Sequence, residues 1–221
     1  MRILLINPNS TAAMTAGIEK AARAAALPTT EVRAEHPEGV PPAVECYADE
    51  ALCIPPTLAL AEARAAAWDA IVLACHSDPG IDAVRERIVN PVIGIGEASY
   101  AAAIAAGRLF SLITLTQRFV RRKREQIRRL GLLDRCASIR TLGAGVVEGF
   151  EGKERLRDRY LAEAEAAVRQ DGADCVVLGC SGMVGIAEDL QAHLGVPVVD
   201  PVVAAVKLAE AIGPIRRGPR R

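Results

Sequence analysis

The chain has 221 residues, with 27 acidic and 27 basic side chains and a formal net charge of zero, so it has no electrostatic pull toward nucleic acid or a membrane surface. Apolar residues make up 51% and aromatics 3%. That suffices for a large core but not for a base-stacking platform. The opening apolar run is too short for a secretory signal, and no segment nears the ~20 apolar residues of a membrane span. A cytoplasmic location is therefore expected, with the six cysteines as free thiols.

In chain order, "RILLINPNST" (2–11) reads as a buried strand running into a polar turn. Asn9, Ser10 and Thr11 form a cap for a helix through "MTAGIEKAARAAA", which Pro28 ends. A second Ala-rich helical stretch, "AEARAAAWDA", leads into the strand "IVLACHSDPG" (71–80), where a thiol sits as the strand opens into a polar loop. "NPVIGIGEASYAAAIAA" (90–106) is a Pro-initiated strand, a turn and an Ala-rich helix.

The pattern then recurs. "RLFSLITLTQ" (108–117) resembles residues 2–11, "ADCVVLGCSGMVG" (173–185) lies over "WDAIVLACHSDPG" (68–80), and "VPVVDPVVAAVKLAEA" (196–211) matches residues 90–106. Asp69 falls on Asp174, and Cys75 on Cys180. The expected fold is α/β: two similar halves related by a pseudo-twofold, residues 1–106 and 107–221, each a mainly parallel sheet flanked by helices. The active site is expected in the cleft between them, at the C-terminal ends of the strands. Whether the terminal helix of one half crosses to the other stays open. The last residues, "RRGPRR", read as a solvated tail.

The repeat places Cys75 and Cys180 on opposite walls of one cleft. A thiol is a usable acid near neutral pH and its thiolate a usable base, and a following turn or helix start favours the thiolate. An acid and a base on opposite faces of one carbon perform stereoinversion without a cofactor, provided the carbanion is delocalised into a carbonyl. Backbone N–H groups after each sulfur are expected to hold a substrate oxygen. Asn9, Ser10, Thr114 and Thr116 occupy the strand ends beside the cleft. Ser77, Ser181 and Gly182 follow the two thiols, and all seven are candidate substrate contacts. Glu45 and Tyr47 are candidates for the pocket entrance, Asp78 for a helix cap and His76 for a pocket wall. No CxxC pair exists and the histidines are scattered, so no metal site is expected. The basic run "RFVRRKREQIRRL" (118–130) reads as a solvated helix face, with Arg118 the candidate for meeting an anionic substrate.

The segments "MRILLINPNST", "VECYADEALCIP", "ACHSDPGIDAVRE", "GEASYAAA", "FSLITLT" and "VVLGCSGM" resemble those of the aspartate/glutamate/hydantoin racemase superfamily along essentially the whole chain. Within it the sequence looks most like the hydantoin and allantoin racemase branch. The resemblance implies cofactor-independent two-base racemisation by Cys75 and Cys180, a small-molecule substrate and homo-oligomers of two-half subunits. That branch carries an aromatic and a glycine where this chain has His76 and Ser77, which implies a more polar pocket wall. The rival readings are an aspartate/glutamate-type amino-acid racemase, a maleate isomerase or arylmalonate decarboxylase-like enzyme, and a non-catalytic small-molecule binding protein.

Overall fold

A computed structural model describes residues 1–213; the tail "RRGPRR" lies outside the described residues. The first half runs β1 (Arg2–Ile6), α1 (Ala12–Ala25), β2 (Glu31–Glu35), α2 (Tyr47–Arg64), β3 (Ala70–Leu73), α3 (Ile81–Arg87), β4 (Val92–Gly94) and α4 (Ile95–Ala106). The second runs β5 (Phe110–Thr114), α5 (Val120–Arg129), β6 (Cys136–Thr141), α6 (Val146–Glu151), α7 (Lys153–Arg169), β7 (Cys175–Leu178), α8 (Ala187–Leu194), β8 (Val198–Val199) and α9 (Pro201–Ile212). The strands form two four-stranded sheets of identical order, β2-β1-β3-β4 and β6-β5-β7-β8, with every pairing parallel. The runs "AIVL" of β3 and "CVVL" of β7 are buried throughout, as expected of central parallel strands covered on both faces. Among the described residues no helix is long and apolar enough to cross a membrane.

The strand register corrects the repeat by one residue at its start. Ile3 pairs with Ala70 and Phe110 with Cys175, so Arg2 corresponds to Leu109 rather than to Arg108. The same hydrogen bonds mark the equivalence. Asp69 N donates to Arg2 O, and Asp174 N donates to Leu109 O, both at 2.9 Å. In return the Asp69 carboxylate accepts from Arg2 N at 2.8 Å, and that of Asp174 from Leu109 N at 2.9 Å. A one-residue slip would turn every strand side chain to the opposite face. With the register set, Asn7 corresponds to Thr114 and Asn9 to Thr116.

The terminal helices cross between the halves. α4 packs on β7 and β8 as well as on α9, and α9 returns to lie on α1, β3 and β4. Alanines make this exchange possible. Ala98, Ala205 and Ala209 are buried in one apolar cluster that also holds Ile3, Leu5 and Val72 of the first half and Ile113, Val176 and Leu178 of the second. Tyr100 of α4 is buried with Phe110, Leu112 and Val177 of the second sheet. The two sheets thus share one continuous core, and their C-terminal edges are held at a fixed separation.

Asp174 also accepts from Arg108 N at 2.8 Å, which gives it one more backbone donor than Asp69 has. Replacing it leaves two N–H groups at the start of β5 without their acceptor. Asp174→Ala is expected to lower unfolding stability by about 1 kcal/mol, and Asp69→Ala by less, measured by urea denaturation.

Candidate active site

Each thiol stands two residues past the end of a central strand, Cys75 after β3 and Cys180 after β7. The backbone makes the same turn at both places, with Ala74 N donating to Ile6 O and Gly179 N to Ile113 O. A Cβ on Gly179 would lie 2.8 Å from Ile113 O, so the second half makes this turn more tightly than the first, which carries Ala74 there. Each sulfur is then met by the backbone N–H two residues on. Gly182 N donates to Cys180 Sγ at 3.3 Å. The Ser77 N–H does the same for Cys75, whose Sγ also lies 3.5 Å from Ser77 Oγ. These N–H groups, expected to hold a substrate oxygen, are instead turned onto the sulfurs, where they favour the thiolate form.

Both thiols line one small cavity between the sheets, and Asn9, Thr114, Thr116 and Ser181 line it too. Ser10, Ser77 and Gly182 do not line it. Ser10 N donates to Pro41 O, while Ser77 and Gly182 support the sulfurs from behind. Arg118 is also absent from the lining. The open volume is about 30 Å³, room for one or two water molecules. A far wider hollow of about 880 Å³, beside Trp68 and Arg87 at the opposite edge of the first sheet, is open and carries no thiol. Val44 and Val146 close the cavity from its two sides. Glu45 latches them across the mouth, its carboxylate accepting from Val146 N. Tyr47 lies half exposed, with its hydroxyl on Glu125.

The loop that carries Cys75 is fastened by Asp78. Its carboxylate accepts from Gly96 N, Glu97 N and Gln126 Nε2, each at 2.9 Å. Asp78 therefore caps α4 rather than α3, the helix that follows it in sequence. The repeat shows why. Asp200, which caps α9 by accepting from Val202 N and Val203 N, corresponds to Gly94. A Cβ on Gly94 would fall 2.3 Å from the Asp78 carboxyl carbon, so the first half brings in from the loop the carboxylate that the second half carries at the cap itself. Asp78 takes a left-handed backbone, φ 50°, which aspartate tolerates better than most residues. Burial, and then the charge of Glu97, raise its carboxyl to about 7 against the pull of the Gly96 and Glu97 N–H groups and of Lys123.

Lys123 corrects the solvated-face reading of the basic run. It is 1% exposed and lines the cavity beside Cys75, His76 and Cys180. Its Nζ lies 3.0 Å from His76 Nδ1 and 5.5 Å from the Phe119 ring centre. On the far side of the imidazole, His76 Nε2 lies 3.0 Å from Ser99 Oγ, and the Ser99 hydroxyl donates to Gly96 O at 2.8 Å. This pattern assigns the neutral Nε2–H tautomer to His76, with Nδ1 accepting from Lys123. Burial and the Lys123 charge hold His76 well below its ordinary pKa. Burial lowers Lys123 from 10.5 to about 8, while Cys75, Cys180 and Asp78 favour its charge. Burial pushes the Cys75 thiol up, opposed by Lys123 and Ser77. Arg122, next to Lys123, pairs with the Glu50 carboxylate at 2.9 Å and donates to Ser77 O. The signal for Lys123 was present in the sequence: Phe119, Lys123 and Ile127 follow at helical spacing and share one buried stripe.

Two sheets of the same order are joined by exchanged helices and carry one thiol each into a shared cavity, and the relatives of this chain place it among isomerases of the racemase class. Residues 3–209 match the Asp/Glu/Hydantoin racemase family, and the chain belongs to that family. A hydantoin racemase of Pseudomonas sp. (strain NS671) is 41% identical over 214 residues, 96% of this chain and 86% of that one. The solved allantoin racemase from Klebsiella pneumoniae superposes with a TM-score of 0.95 at 34% identity, covering 100% of this chain and 94% of the other. That from Pseudomonas fluorescens gives a TM-score of 0.94 at 34% identity, covering 100% and 95%.

A lysine whose pKa falls on folding weakens the fold while it is charged. Its full contribution is present above the ordinary 10.5 and is lost as pH drops through about 8. Lys123→Met is free of this pH-dependent loss, so relative to the wild type it is expected to gain stability at pH 7 over its value at pH 10.5, on top of a pH-independent cost from the unpaired His76 Nδ1. The gain should shrink between pH 8 and 10.5, as read by urea unfolding of both proteins across that range.

Proposed function

We propose that the protein is a cofactor-independent racemase of a small carbon acid, a 5-substituted hydantoin or allantoin-like ring, with Cys75 and Cys180 as the two bases. The observation that carries this reading is that the two thiols, at corresponding positions of the repeat, line one small cavity. The names of the relatives, hydantoin racemase and allantoin racemase, supply the substrate class.

In the forward direction one cysteine thiolate takes the proton from the ring carbon. The electron pair of that C–H bond moves into the adjacent ring carbonyl and gives an enolate. The opposite thiol then delivers its proton to the other face of the carbon and becomes the thiolate. The pair ends with its protonation states exchanged, and the reverse reaction begins from there. Hydantoin chemistry suits thiols, because the ring carbonyl lowers the acidity gap that two modestly tuned thiols must bridge. An unactivated amino acid demands stronger electrostatic help, which makes the amino-acid racemase reading second.

Within the cavity, Asn9, Thr114, Thr116 and Ser181 supply the polar contacts to the ring amides and carbonyls. The Asn9 side chain is held in place by Asn7, whose Nδ2 donates to Asn9 Oδ1 at 3.0 Å. His76, neutral and tied to Ser99 and Lys123, is a wall and not a proton carrier. The present volume is too small for a five-membered ring, so the ring enters when the segment around Val44–Glu45 and α6 part at the Glu45 contact, a lid motion of ordinary kind.

Cys75→Ala and Cys180→Ala are each expected to abolish racemisation of hydantoins and allantoin, followed by polarimetry. Each single variant is expected to retain exchange of the α-proton with heavy water for one enantiomer only, read by proton NMR. Full racemisation by either variant would falsify the two-base reading.

A further inference from the structure

The reaction starts and ends with one thiol and one thiolate, so the site carries one negative charge that moves from one wall of the cavity to the other by way of the substrate. A narrow cavity between two sheets is a poor place for an unbalanced charge, since Coulomb interactions there are several times stronger than in water. The positive charges near by are those of Arg122 and Lys123. Arg122 is already matched by the Glu50 carboxylate at 2.9 Å. Lys123 has a neutral imidazole as its hydrogen-bond partner. Asp78, the carboxylate that acts on it, gives its oxygens to Gly96, Glu97 and Gln126.

We infer that the Lys123 ammonium is the shared counter-ion of the two thiols, balancing the single negative charge of the pair whichever sulfur holds it. Lys123, Cys75 and Cys180 line the same cavity, and the lysine charge is coupled to both sulfurs. The ammonium is fixed from behind by a chain of hydrogen bonds, Lys123 to His76 to Ser99 to the Gly96 carbonyl. When the proton leaves the substrate, the charge passes from a sulfur to the enolate between them and then to the other sulfur, and one stationary cation faces all three. Lys123 is thus a positioning residue that keeps a base available. Among the described residues, the Glu50 carboxylate of α2 disfavours the Cys75 thiolate, while the Cys53 thiol beside Cys75 and the Tyr160 hydroxyl beside Cys180 are pushed up by burial, stay neutral and balance no charge. This inference deepens the proposed two-thiol reaction and rests on it for its purpose.

The experiment is the pH dependence of alkylation by iodoacetamide, resolved for Cys75 and Cys180 by peptide mass spectrometry, in the wild type, Lys123→Met and Lys123→Gln. Glutamine keeps a donor for His76 without the charge. Both variants are expected to move the alkylation midpoints of both cysteines up by about one pH unit or more, so that alkylation at pH 7 falls about tenfold. Unchanged midpoints, a shift at one cysteine alone, or a wild type whose two thiols are inert near neutral pH would each overturn the inference. Racemase activity is not the readout. A protein that shows the shift but racemises no hydantoin sinks the proposed reaction and leaves the ion pair standing.

Discussion

The site depends on the fastening of one loop by a buried carboxylate. Asp78 reaches from the end of β3 to the first turn of α4 and to Gln126 of α5, so a single side chain joins an element of the second half to two of the first. The contact is possible because positions 94 and 96 carry no side chain. A Cβ at Gly96 would stand 2.3 Å from the His76 carbonyl and 2.7 Å from an Asp78 oxygen. Cys75, His76 and Ser77 are thereby held against α5, and this brings Lys123 to the imidazole. A carboxylate raised by burial, beside an ammonium lowered by burial, makes this a polar cluster whose members hold each other's charge states.

The duplication explains the symmetry of the thiols and also where it breaks. Both sulfurs receive a backbone N–H from two residues on, and both follow the same strand-end turn. Behind them the halves diverge. The first sulfur is backed by Ser77, and packs against Cys53 and Phe119, with Glu50 and Arg122 close by. The second has the buried Met183, where the first half has Asp78, and Tyr160 near by. A racemase must handle two mirror-image substrates on unlike walls. A common counter-ion and matched backbone donors are the parts of the site that treat the two sulfurs alike.

The exchange of α4 and α9 gives this arrangement its rigidity. Each terminal helix packs across onto the other half, so the cleft cannot open by swinging the sheets apart without exposing the alanine-lined core. In the proposed reaction the ligand therefore enters by movement of the peripheral pieces. These are the segment around Val44–Glu45 and the short α6, which meet through one carboxylate-to-amide contact.

The sequence by itself determined the two-half α/β plan, the parallel strands and the placement of one thiol at each strand end. These follow from local apolar runs, turn residues and a repeat, all of which are linear properties of the chain. It mistook the register of the first strand by one residue because "RILLI" and "RLFSLI" both begin with arginine; only paired backbones fix which residue lies opposite which. Asp78 was legible as a cap, but not whose. Its partner helix starts 17 residues later, and the clue was the glycine at position 94 where the second half has Asp200. Lys123 stayed hidden in a run of arginines, since charge density on a helix predicts solvent. What placed it inside was the stripe of Phe119 and Ile127 and a neutral histidine from another half of the chain. Which terminal helix covers which sheet was likewise decided only by tertiary packing, because alanine-rich faces fit either surface equally well until the strands they must cover are in place.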